Sequence, residues 1–434
     1  MDYKVSLYTA RVVLDSKVYL YNTFSDQLLV LSQQINKIWI DNVNNLQKIK
    51  DIHPDFFSAL VDGGFIVELQ KNEVKAVRNF WRSEDQDPRK YTIIINSTLN
   101  CNLRCWYCYE KHDKSAYMSL EVINSICELI KRKTSDPQLI GLNIDFFGGE
   151  PFMNYKKCIL PILDYAYEKC TTNNKQLFVS FTTNGYLLNE EVLLQLKKFA
   201  RWGSLRFQIT LDGNKELHDQ TRKKLNGEGT YEKIISNICK CAQLGYKVLV
   251  RLNYTERNIT SFYDVIDDFS ALSTACKRNL SFSFHKVWQE SGSEYLEQAV
   301  NEVKSSFIEN ELFVERIYLL SHSRCYGDKE NTVVINYNGD LYKCTARDFS
   351  PFEREGVLTE KGQINWNGKY EQRMFLKYGP KTCEQCKIFP LCHAGCSQNK
   401  LENIESHKCA KGYSQQKIED LLREHVGHLL ECDI

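Results

Sequence analysis

The sequence lacks three features that would each assign it to a class of protein. It has no excess of one charge, since 56 Lys and Arg are balanced by 55 Asp and Glu, for a net charge of +1. A broad nucleic-acid surface needs clustered positive charge, so this balance argues against one. No apolar run approaches the roughly 20 residues of a membrane span, and the charged first residues contain no apolar signal segment. We therefore expect a cytoplasmic protein that binds neither nucleic acid nor a membrane.

Cysteine, by contrast, is abundant, with 17 residues in a chain of 434. That length predicts about two or three domains. An odd number of cysteines cannot pair completely as disulfides, and without an export signal a disulfide framework is not expected. Clustered cysteines in the cytosol more often bind metal through their thiolates. The cysteine pattern therefore predicts metal or iron–sulfur sites.

Residues 1–82 are predicted to form a small separate unit. Its segments are a two-stranded hairpin, a helix, and a helix followed by a strand, at 17–23 with 27–32, at 35–43, and at 55–68. The last helix is expected to stop at Gly63 and Gly64. A hairpin with helices and a closing strand resembles a winged-helix unit. The polar residues 83–90 predict a linker.

Residues 91–290 alternate between short apolar strands and helical stretches. The six strands are expected at 91–98, 141–147, 177–183, 205–211, 247–253 and 280–285. This alternation predicts an α/β fold with a parallel sheet, and we expect a partial (β/α)6 barrel similar to a TIM barrel. A helical bridge at 291–324, built on helical spacing at 294–320, then leads to a Cys-rich domain at 325–434. Residues just after the strands are the candidates for chemistry, because such folds place their sites there.

Directly after the first predicted strand stand Cys101, Cys105 and Cys108. Three thiolates hold three irons of a 4Fe–4S cubane and leave the fourth iron open, because no fourth cysteine is near. The alternatives are a structural zinc and buried free thiols. Zinc requires four close ligands, and His112 is the only nearby candidate.

The Cys-x3-Cys-x2-Cys spacing, with the aromatic Tyr107 before its last cysteine, resembles the radical S-adenosylmethionine (SAM) superfamily. In that family the open iron binds the amino and carboxylate groups of SAM. An electron from the cluster then cleaves SAM to a 5′-deoxyadenosyl radical, which abstracts a hydrogen atom from the substrate. The resemblance implies SAM and this cluster as cofactors.

Three further motifs follow predicted strands and match the same family. Gly148-Gly149-Glu150-Pro151 is similar to the GGEP motif that binds the SAM amino group, and Asn184 lies in a TNG turn. Thr210 and Arg222 stand in a segment similar to the LDG…HDxxR run, which implies contacts near the ribose and the SAM carboxylate. The implied cofactor-binding set is Tyr107, Gly148, Gly149, Glu150, Asn184, Thr210 and Arg222.

The cysteines of the tail could, from spacing alone, include a zinc ribbon at 383–396, but seven thiolates exceed one zinc site. Their spacing resembles the SPASM domain, which holds two auxiliary 4Fe–4S clusters and makes three clusters in all. The implied ligands are Cys325, Cys344 and Cys396 for the first, and Cys383, Cys386, Cys392 and Cys409 for the second. Cys432 or a substrate thiolate is a candidate for the vacant place on the first. The remaining cysteines are interpreted as small core residues: Cys127, Cys158, Cys170, Cys239, Cys241 and Cys276.

This resemblance implies an oxidoreductase that matures a peptide, similar to sactisynthases and ranthipeptide synthases. The N-terminal unit resembles elements that hold a leader peptide as an added strand, although it could instead be a structural cap on the barrel. A thioether cross-link on a ribosomally made peptide is our leading hypothesis, with a flavodoxin or ferredoxin as reductant. No catalytic base is indicated.

Three alternatives stay open at this point. An anaerobic sulfatase maturase, forming formylglycine, usually begins near its cysteine motif and resembles QGGEP, whereas here Phe147 stands in place of that Gln. A peptide carbon–carbon cyclase or epimerase has the same motifs. A non-catalytic iron–sulfur electron carrier is the third, but it has no need of Glu150 and Arg222.

Overall fold

The computed structural model describes residues 2–201, 205–403 and 409–432. The strands are β1 Tyr3–Val5, β2 Thr9–Leu14, β3 Lys17–Asn22, β4 Gln27–Leu31, β5 Ile66–Glu68, β6 Lys90–Asn96, β7 Gly141–Phe147, β8 Gln176–Thr183, β9 Leu205–Leu211, β10 Lys247–Tyr254, β11 Leu280–Lys286, β12 Thr332–Ile335, β13 Asp340–Tyr342, β14 Gly356–Leu358 and β15 Ile364–Trp366.

The α-helices are α1 Gln33–Asn42, α2 Leu46–Ile52, α3 Pro54–Asp62, α4 Glu73–Asp85, α5 Leu120–Thr134, α6 Leu160–Thr172, α7 Glu190–Leu196, α8 Lys215–Thr221, α9 Tyr231–Gln243, α10 Phe262–Asp267, α11 Thr274–Lys277, α12 Glu294–Glu309, α13 Gly368–Leu376, α14 Lys381–Glu384, α15 Phe389–Cys392, α16 Ser397–Glu402 and α17 Gln415–Cys432. Short 3-10 helices span Pro151–Asn154, Lys197–Arg201, Ile259–Ser261, Tyr326–Asp328 and Pro351–Glu353, and a π-helical turn spans Tyr155–Ile159.

The chain divides into two compact units. The first contains Met1–Gln86, Tyr318–Glu330 and Glu371–Ile434, and the second contains Asp87–Ile317 and Asn331–Tyr370. In neither unit does a described helix have the length and apolar character needed to cross a membrane.

The second unit is built on a ten-stranded sheet with the order β11-β10-β9-β8-β7-β6-β12-β13-β14-β15. The six strands from β6 to β11 are parallel to their neighbours, as the sequence predicts. β12 adds a further parallel strand beside β6, and β13 to β15 continue antiparallel. Phe146, Phe181 and Phe207 occupy the same register position on adjacent strands and stack at 5.2 and 5.4 Å between ring centroids. This buried aromatic row favours one alignment of the strands. The chain is thus a mixed α/β protein with a large central sheet.

The first unit contains an antiparallel sheet of β2, β3 and β4, and a separate pair of β1 with β5. The predicted hairpin is confirmed as β3 and β4, and the predicted strand after Gly63-Gly64 is confirmed as β5. β2 was not predicted. On one face Leu20 packs with Trp39 and Leu60 of the helices, and on the other Tyr19 packs with Leu422 of α17. The small sheet is therefore covered on both faces by residues of its own unit.

Two predicted boundaries are wrong. The helix expected over 294–320 ends at Glu309, because Glu311 adopts a φ of +60° and residues 313–315 hydrogen-bond to Phe282 of β11 instead. The linker expected at 83–90 is shorter, because α4 continues to Asp85. Asp85 is fully buried and forms ion pairs with Arg324 and Lys377, so a polar stretch that resembles a linker is part of the core.

Candidate active site and cofactor sites

The loop after β6 carries Cys101, Cys105 and Cys108 at the carboxyl edge of the parallel sheet. Cys101 is buried and Cys108 is exposed. Burial raises the pKa of Cys101 to about 12 and also raises that of Cys105, where the positive charge of Arg222 opposes the rise. A thiol that burial keeps neutral becomes a thiolate when it binds a metal, and thiolates suit iron. The donor chemistry of this loop therefore fits the predicted cluster.

Gly148 and Gly149 follow β7 and lie against the segment that leads into the cysteine loop. Gly148 has a φ of +113°, and a Cβ added there would lie 1.7 Å from Oδ1 of Asn96. A Cβ on Gly149 would lie 2.3 Å from the carbonyl oxygen of Asn100, and the Gly149 N–H donates to the carbonyl of Thr98 at 3.0 Å. Only glycine fits at these two positions, because the two loops meet backbone to backbone.

Glu150 is completely buried, and the chain itself supplies hydrogen bonds to its carboxylate. Oε1 accepts from the Thr183 hydroxyl at 2.7 Å and from the Phe152 N–H at 3.1 Å, while Oε2 accepts from the Asn184 N–H at 2.8 Å. Burial raises the pKa of Glu150, and these hydrogen bonds oppose the rise. The Asn184 amide reaches Oδ1 of Asn102 at 2.8 Å, so the turn after β8 is tied to the cysteine loop. Glu150 thus fixes three loops in one arrangement.

A second network surrounds the hydroxyl of Tyr107. This hydroxyl donates to Oδ2 of Asp212 at 2.8 Å and accepts from Nη1 of Arg222 at 2.9 Å and from Nδ2 of Asn253 at 3.1 Å. Arg222 and Asp212 are both buried, and their closest charged atoms are 3.4 Å apart. Nε of Arg222 is also buried and has no hydrogen-bond partner in the described residues. An anion at this place would satisfy it.

Thr210 is buried on β9 beside Arg251 of β10. His112, the candidate zinc ligand, instead lies 3.4 Å from the carbonyl oxygen of Leu99 through Nδ1. Within residues 2–201, 205–403 and 409–432, no group of three or more His, Cys, Asp or Glu could hold a single metal ion.

Three residues of this region were not singled out by sequence reasoning. Asp212 belongs to the LDG motif, and Asn253 ends the fifth predicted strand. Both could be found by inspecting the residues at the carboxyl ends of the predicted strands. Glu110 is buried, neither of its carboxylate oxygens has a hydrogen-bond partner among the described residues, and burial raises its pKa to about 8. Glu110 stands in no recognised motif, so the sequence alone does not indicate it as a functional residue.

Four cysteines of the tail line one cavity of roughly 350 Å³ in the first unit, together with apolar residues such as Ile388, Phe389 and Ile418. These cysteines are Cys383, Cys386, Cys392 and Cys409. Burial raises the pKa of Cys383 to about 11. Four thiols around an apolar cavity fit a cluster held by four thiolates.

The other tail cysteines are divided between the units. Cys325 and Cys396 belong to the first unit, whereas Cys344 follows β13 in the second. The side chain of Cys432, at the end of α17, lies outside the described residues.

None of the cysteines whose side chains are described forms a disulfide. Of the six interpreted as core residues, Cys158, Cys170 and Cys241 are buried, and the other three are half-buried against the core of the second unit.

The loops of the sheet edge fall within a segment that matches a known family. A profile of the radical SAM superfamily matches residues 95–268. An uncharacterized protein of Synechocystis sp. is 30% identical over 381 residues, covering 78% of this chain and 92% of that protein. The chain belongs to the radical SAM superfamily. The expectation of a SPASM-type radical SAM maturase is confirmed, and so is the expectation of an enzyme, which excludes the electron carrier. SAM and the 4Fe–4S cluster of the superfamily are accordingly its cofactors.

One curated relative and two solved structures align with most of this radical SAM chain. A cysteine-type anaerobic sulfatase-maturating enzyme of Clostridium novyi is 27% identical over 345 residues, covering 72% of this chain and 89% of that enzyme. Among solved structures, anSMEcpe with bound AdoMet has a TM-score of 0.59 at 18% identity, covering 78% of this chain and 98% of its own. Streptococcus suis SuiB bound to S-adenosylmethionine has a TM-score of 0.50 at 14% identity, covering 94% of this chain and 98% of its own. At these identities the structures establish the fold alone.

Proposed function

We propose that this enzyme uses SAM to abstract hydrogen from a ribosomally made peptide and forms a cross-link in it, with a thioether preferred. The observation that carries the proposal is the meeting of the cysteine loop with buried Arg222 at the carboxyl edge of the sheet. When bound there, SAM and the cluster supply a 5′-deoxyadenosyl radical. The residues of the chain bind and orient SAM.

Arg222 is the residue that we assign to the SAM carboxylate. Its Nη1 is fixed by the Tyr107 hydroxyl, while its buried Nε has no hydrogen-bond partner in the described residues. A guanidinium held in this way binds a carboxylate with little loss of rotamer freedom. Tyr107 and Asp212 then act by orienting Arg222.

Glu150 has a more limited part than its motif implies. A carboxylate has about four acceptor positions, and three are used by hydrogen bonds from Phe152, Thr183 and Asn184. One position is left for the SAM ammonium. We therefore propose that Glu150 acts first as a positioning residue, which holds the cysteine loop and the Asn184 turn together.

A cavity of roughly 180 Å³ beside Tyr107 and Asp212 is the place that we assign to the nucleoside part of SAM. Trp106 and Val287 give it apolar walls, and Gln220 and Arg257 are among its polar lining residues. An apolar wall beside polar side chains suits a planar base that is joined to a sugar with hydroxyl groups. Thr210, on the strand that leads to Asp212, is the candidate for the ribose.

We extend the proposal to the other domains. The parallel strands would form a partial (β/α)6 barrel, residues 1–82 a winged-helix-like recognition unit, and residues 325–434 a SPASM domain with two auxiliary clusters. The cavity lined by four cysteines supports the second auxiliary cluster. Cys325, Cys344 and Cys396 would hold the first, which would leave a place for a peptide thiolate. One hydrogen would leave in 5′-deoxyadenosine, the thiol proton would go to solvent, and this cluster would accept the electron released when the carbon–sulfur bond forms. That vacancy is our reason for preferring a thioether.

A peptide substrate is supported by the names of two neighbours. One structure is anSMEcpe with bound AdoMet and Cp18Cys peptide, and another is SuiB bound to precursor peptide SuiA. The SuiB structure covers 94% of this chain and anSMEcpe covers 80%, so the likeness to SuiB extends over more of it. A cytoplasmic setting with a flavodoxin or ferredoxin as reductant fits a chain rich in thiols.

A second candidate function is the formation of formylglycine in a sulfatase, which the 27% identity to the Clostridium novyi enzyme favours. A carbon–carbon cyclase or epimerase is a third. The three chemistries leave different marks on a peptide. A thioether or a carbon–carbon bond removes two hydrogens, conversion of Cys to formylglycine removes sulfur, and epimerisation leaves the mass unchanged.

The test is an anaerobic reaction of reconstituted enzyme, SAM and dithionite with each Cys-containing peptide that a short open reading frame beside the gene encodes, followed by mass spectrometry. We expect a loss of two hydrogens and protection of one cysteine from iodoacetamide, together with 5′-deoxyadenosine. Loss of two hydrogens with all cysteines still alkylated would favour a carbon–carbon bond. Loss of sulfur, or turnover of a sulfatase peptide only, would replace the thioether with formylglycine.

A further inference from the structure

The interior of the first unit contains a group of buried charges next to two cysteines of the tail. Arg324, which directly precedes Cys325, is 4% exposed, and Lys400, four residues after Cys396, is 8% exposed. Asp85, at the end of α4, is 0% exposed. Charges so deep in a protein are expensive unless they are paired. The contacts of these charged side chains therefore indicate which kind of group this interior binds.

Asp85 forms ion pairs with two buried cations, Arg324 and Lys377. Its Oδ1 is 2.8 Å from Nε of Arg324, and its Oδ2 is 2.9 Å from Nζ of Lys377. The guanidinium also lies over the ring of Trp81, with 4.7 Å between its central carbon and the ring centroid. Asp85 and Trp81 both belong to α4, so a helix of the N-terminal segment fixes the side chain beside Cys325.

The far end of Arg324 is left without a full set of partners. Nη1 and Nη2 are buried and have no hydrogen-bond partner among the described residues, and Nη2 forms a longer ion pair with Oδ2 of Asp328, at 3.6 Å. Among the described residues Lys400 donates to the carbonyl of Lys377, at 3.1 Å, and its ammonium lies within electrostatic range of Cys383 and Cys396. Buried N–H groups without a partner, in the residue that precedes an assigned cluster ligand, fit an anionic, sulfur-rich group, because thiolates and sulfides accept hydrogen bonds.

We propose that Arg324 and Lys400 form a cationic shell for the auxiliary cluster held by Cys325 and Cys396, and that Asp85 of α4 sets the strength of that shell. The inference rests on the proposed function, because it requires the first auxiliary cluster. A nearby positive charge favours the reduced cluster, which carries one more negative charge, and therefore raises its reduction potential. Asp85 partly cancels that effect. Asp85 is a positioning residue, because it acts through Arg324.

The experiment is a redox titration of the auxiliary clusters, followed by electron paramagnetic resonance. The background is reconstituted full-length protein with Cys101→Ala, Cys105→Ala and Cys108→Ala, so that only auxiliary signals remain. The signal lost on further replacement Cys325→Ala is assigned to the first cluster. Asp85→Asn and Lys400→Gln are then titrated beside Lys417→Gln, which removes an exposed lysine from the same unit.

The two variants should shift the potential in opposite directions. Lys400→Gln should make reduction of the first cluster about tenfold less favourable, or about 59 mV for one electron, and Asp85→Asn should make it more favourable by a similar factor. Lys417→Gln should leave it unchanged. Asp85→Glu, which keeps the charge, should restore the wild-type potential even if Asp85→Asn loses iron.

A purely structural role would lower iron content without moving the potential of the clusters that remain, and that result would overturn the inference. Shifts of the same sign in Asp85→Asn and Lys400→Gln would also overturn it. If protein with all its cysteines binds only about four irons, the auxiliary clusters themselves are absent, and the proposed function fails at that point instead.

Discussion

Two regions rich in cysteine differ in how complete they are without a bound group. At the sheet edge of the second unit, the polar side chains of the loops are bonded mainly to one another, as Glu150 is to Thr183 and Asn184. In the first unit, four cysteines surround a cavity, and two N–H groups of Arg324 have no partner among the described residues. The loops of the first region are held together by hydrogen bonds within the chain, even though Nε of Arg222 and the carboxylate of Glu110 have no partner among the described residues, whereas the cysteines of the second region surround an open cavity.

This difference follows from the demands of the two sites. A site that binds SAM and a substrate in each turnover must keep its geometry while these molecules leave. A cluster that stays bound can itself be part of the packing, as structural metal sites are in small domains. Loss of cofactor should therefore change the two regions unequally.

Replacement of Cys101, Cys105 and Cys108 by Ala should have the largest effect and abolish 5′-deoxyadenosine formation. The tail ligands are separate, so about eight of an expected twelve irons should remain. Chromatography of the nucleoside product and an iron assay check both numbers. The reciprocal variant, Cys383→Ala with Cys392→Ala, should lose about four irons and still bind SAM. SAM cleavage that persists in the first variant would contradict the assignment of the catalytic cluster.

Arg222→Met should weaken SAM binding strongly without removing the cluster. Truncating one partner of a buried charge pair costs about 2–5 kcal/mol, which corresponds to a rise of at least about 30-fold in the Kd for SAM. Isothermal titration calorimetry on the reconstituted protein measures it. Lys215→Met, on the exposed side of the same segment, is the matched control and should bind normally. A Kd within about twofold of wild type would remove Arg222 from the SAM site.

The parts of this picture that the sequence predicts are those that local patterns determine. The strands of the parallel sheet were predictable because burial on both faces requires short apolar runs between helices. The bounds of β7 and β9 match those predicted, and the motif glycines and Glu150 stand directly after β7. A strand end is a local property, so the loops that carry the site could be found without coordinates.

The remaining features depend on contacts between distant parts of the chain. In the sequence Asp85 resembles a linker residue, because its partner Arg324 stands more than 200 positions later in the chain. The predicted helix at 294–320 kept its apolar spacing past Glu309, but pairing with β11 ended it. The motif of Glu150 predicts contact with the SAM amino group. It does not predict the hydrogen bonds from Thr183 and Asn184, because these residues stand more than 30 positions later in the chain.

Glu150→Gln should give the smallest of these effects and should give it even in protein without cofactors. The side chain keeps its shape, but one carboxylate oxygen becomes an NH2 group that meets an N–H donor, either that of Asn184 or that of Phe152. An unsatisfied buried group of this kind lowers the free energy of unfolding by about 1–3 kcal/mol. Urea denaturation of the cofactor-free protein measures the change, and Glu190→Gln, an exposed residue at the start of α7, is the control. If Glu150→Gln were as stable as the control without cofactors and weakened only SAM binding, Glu150 would be a SAM ligand rather than the residue that holds the loops, and the sheet edge would depend on its cofactor as the tail does.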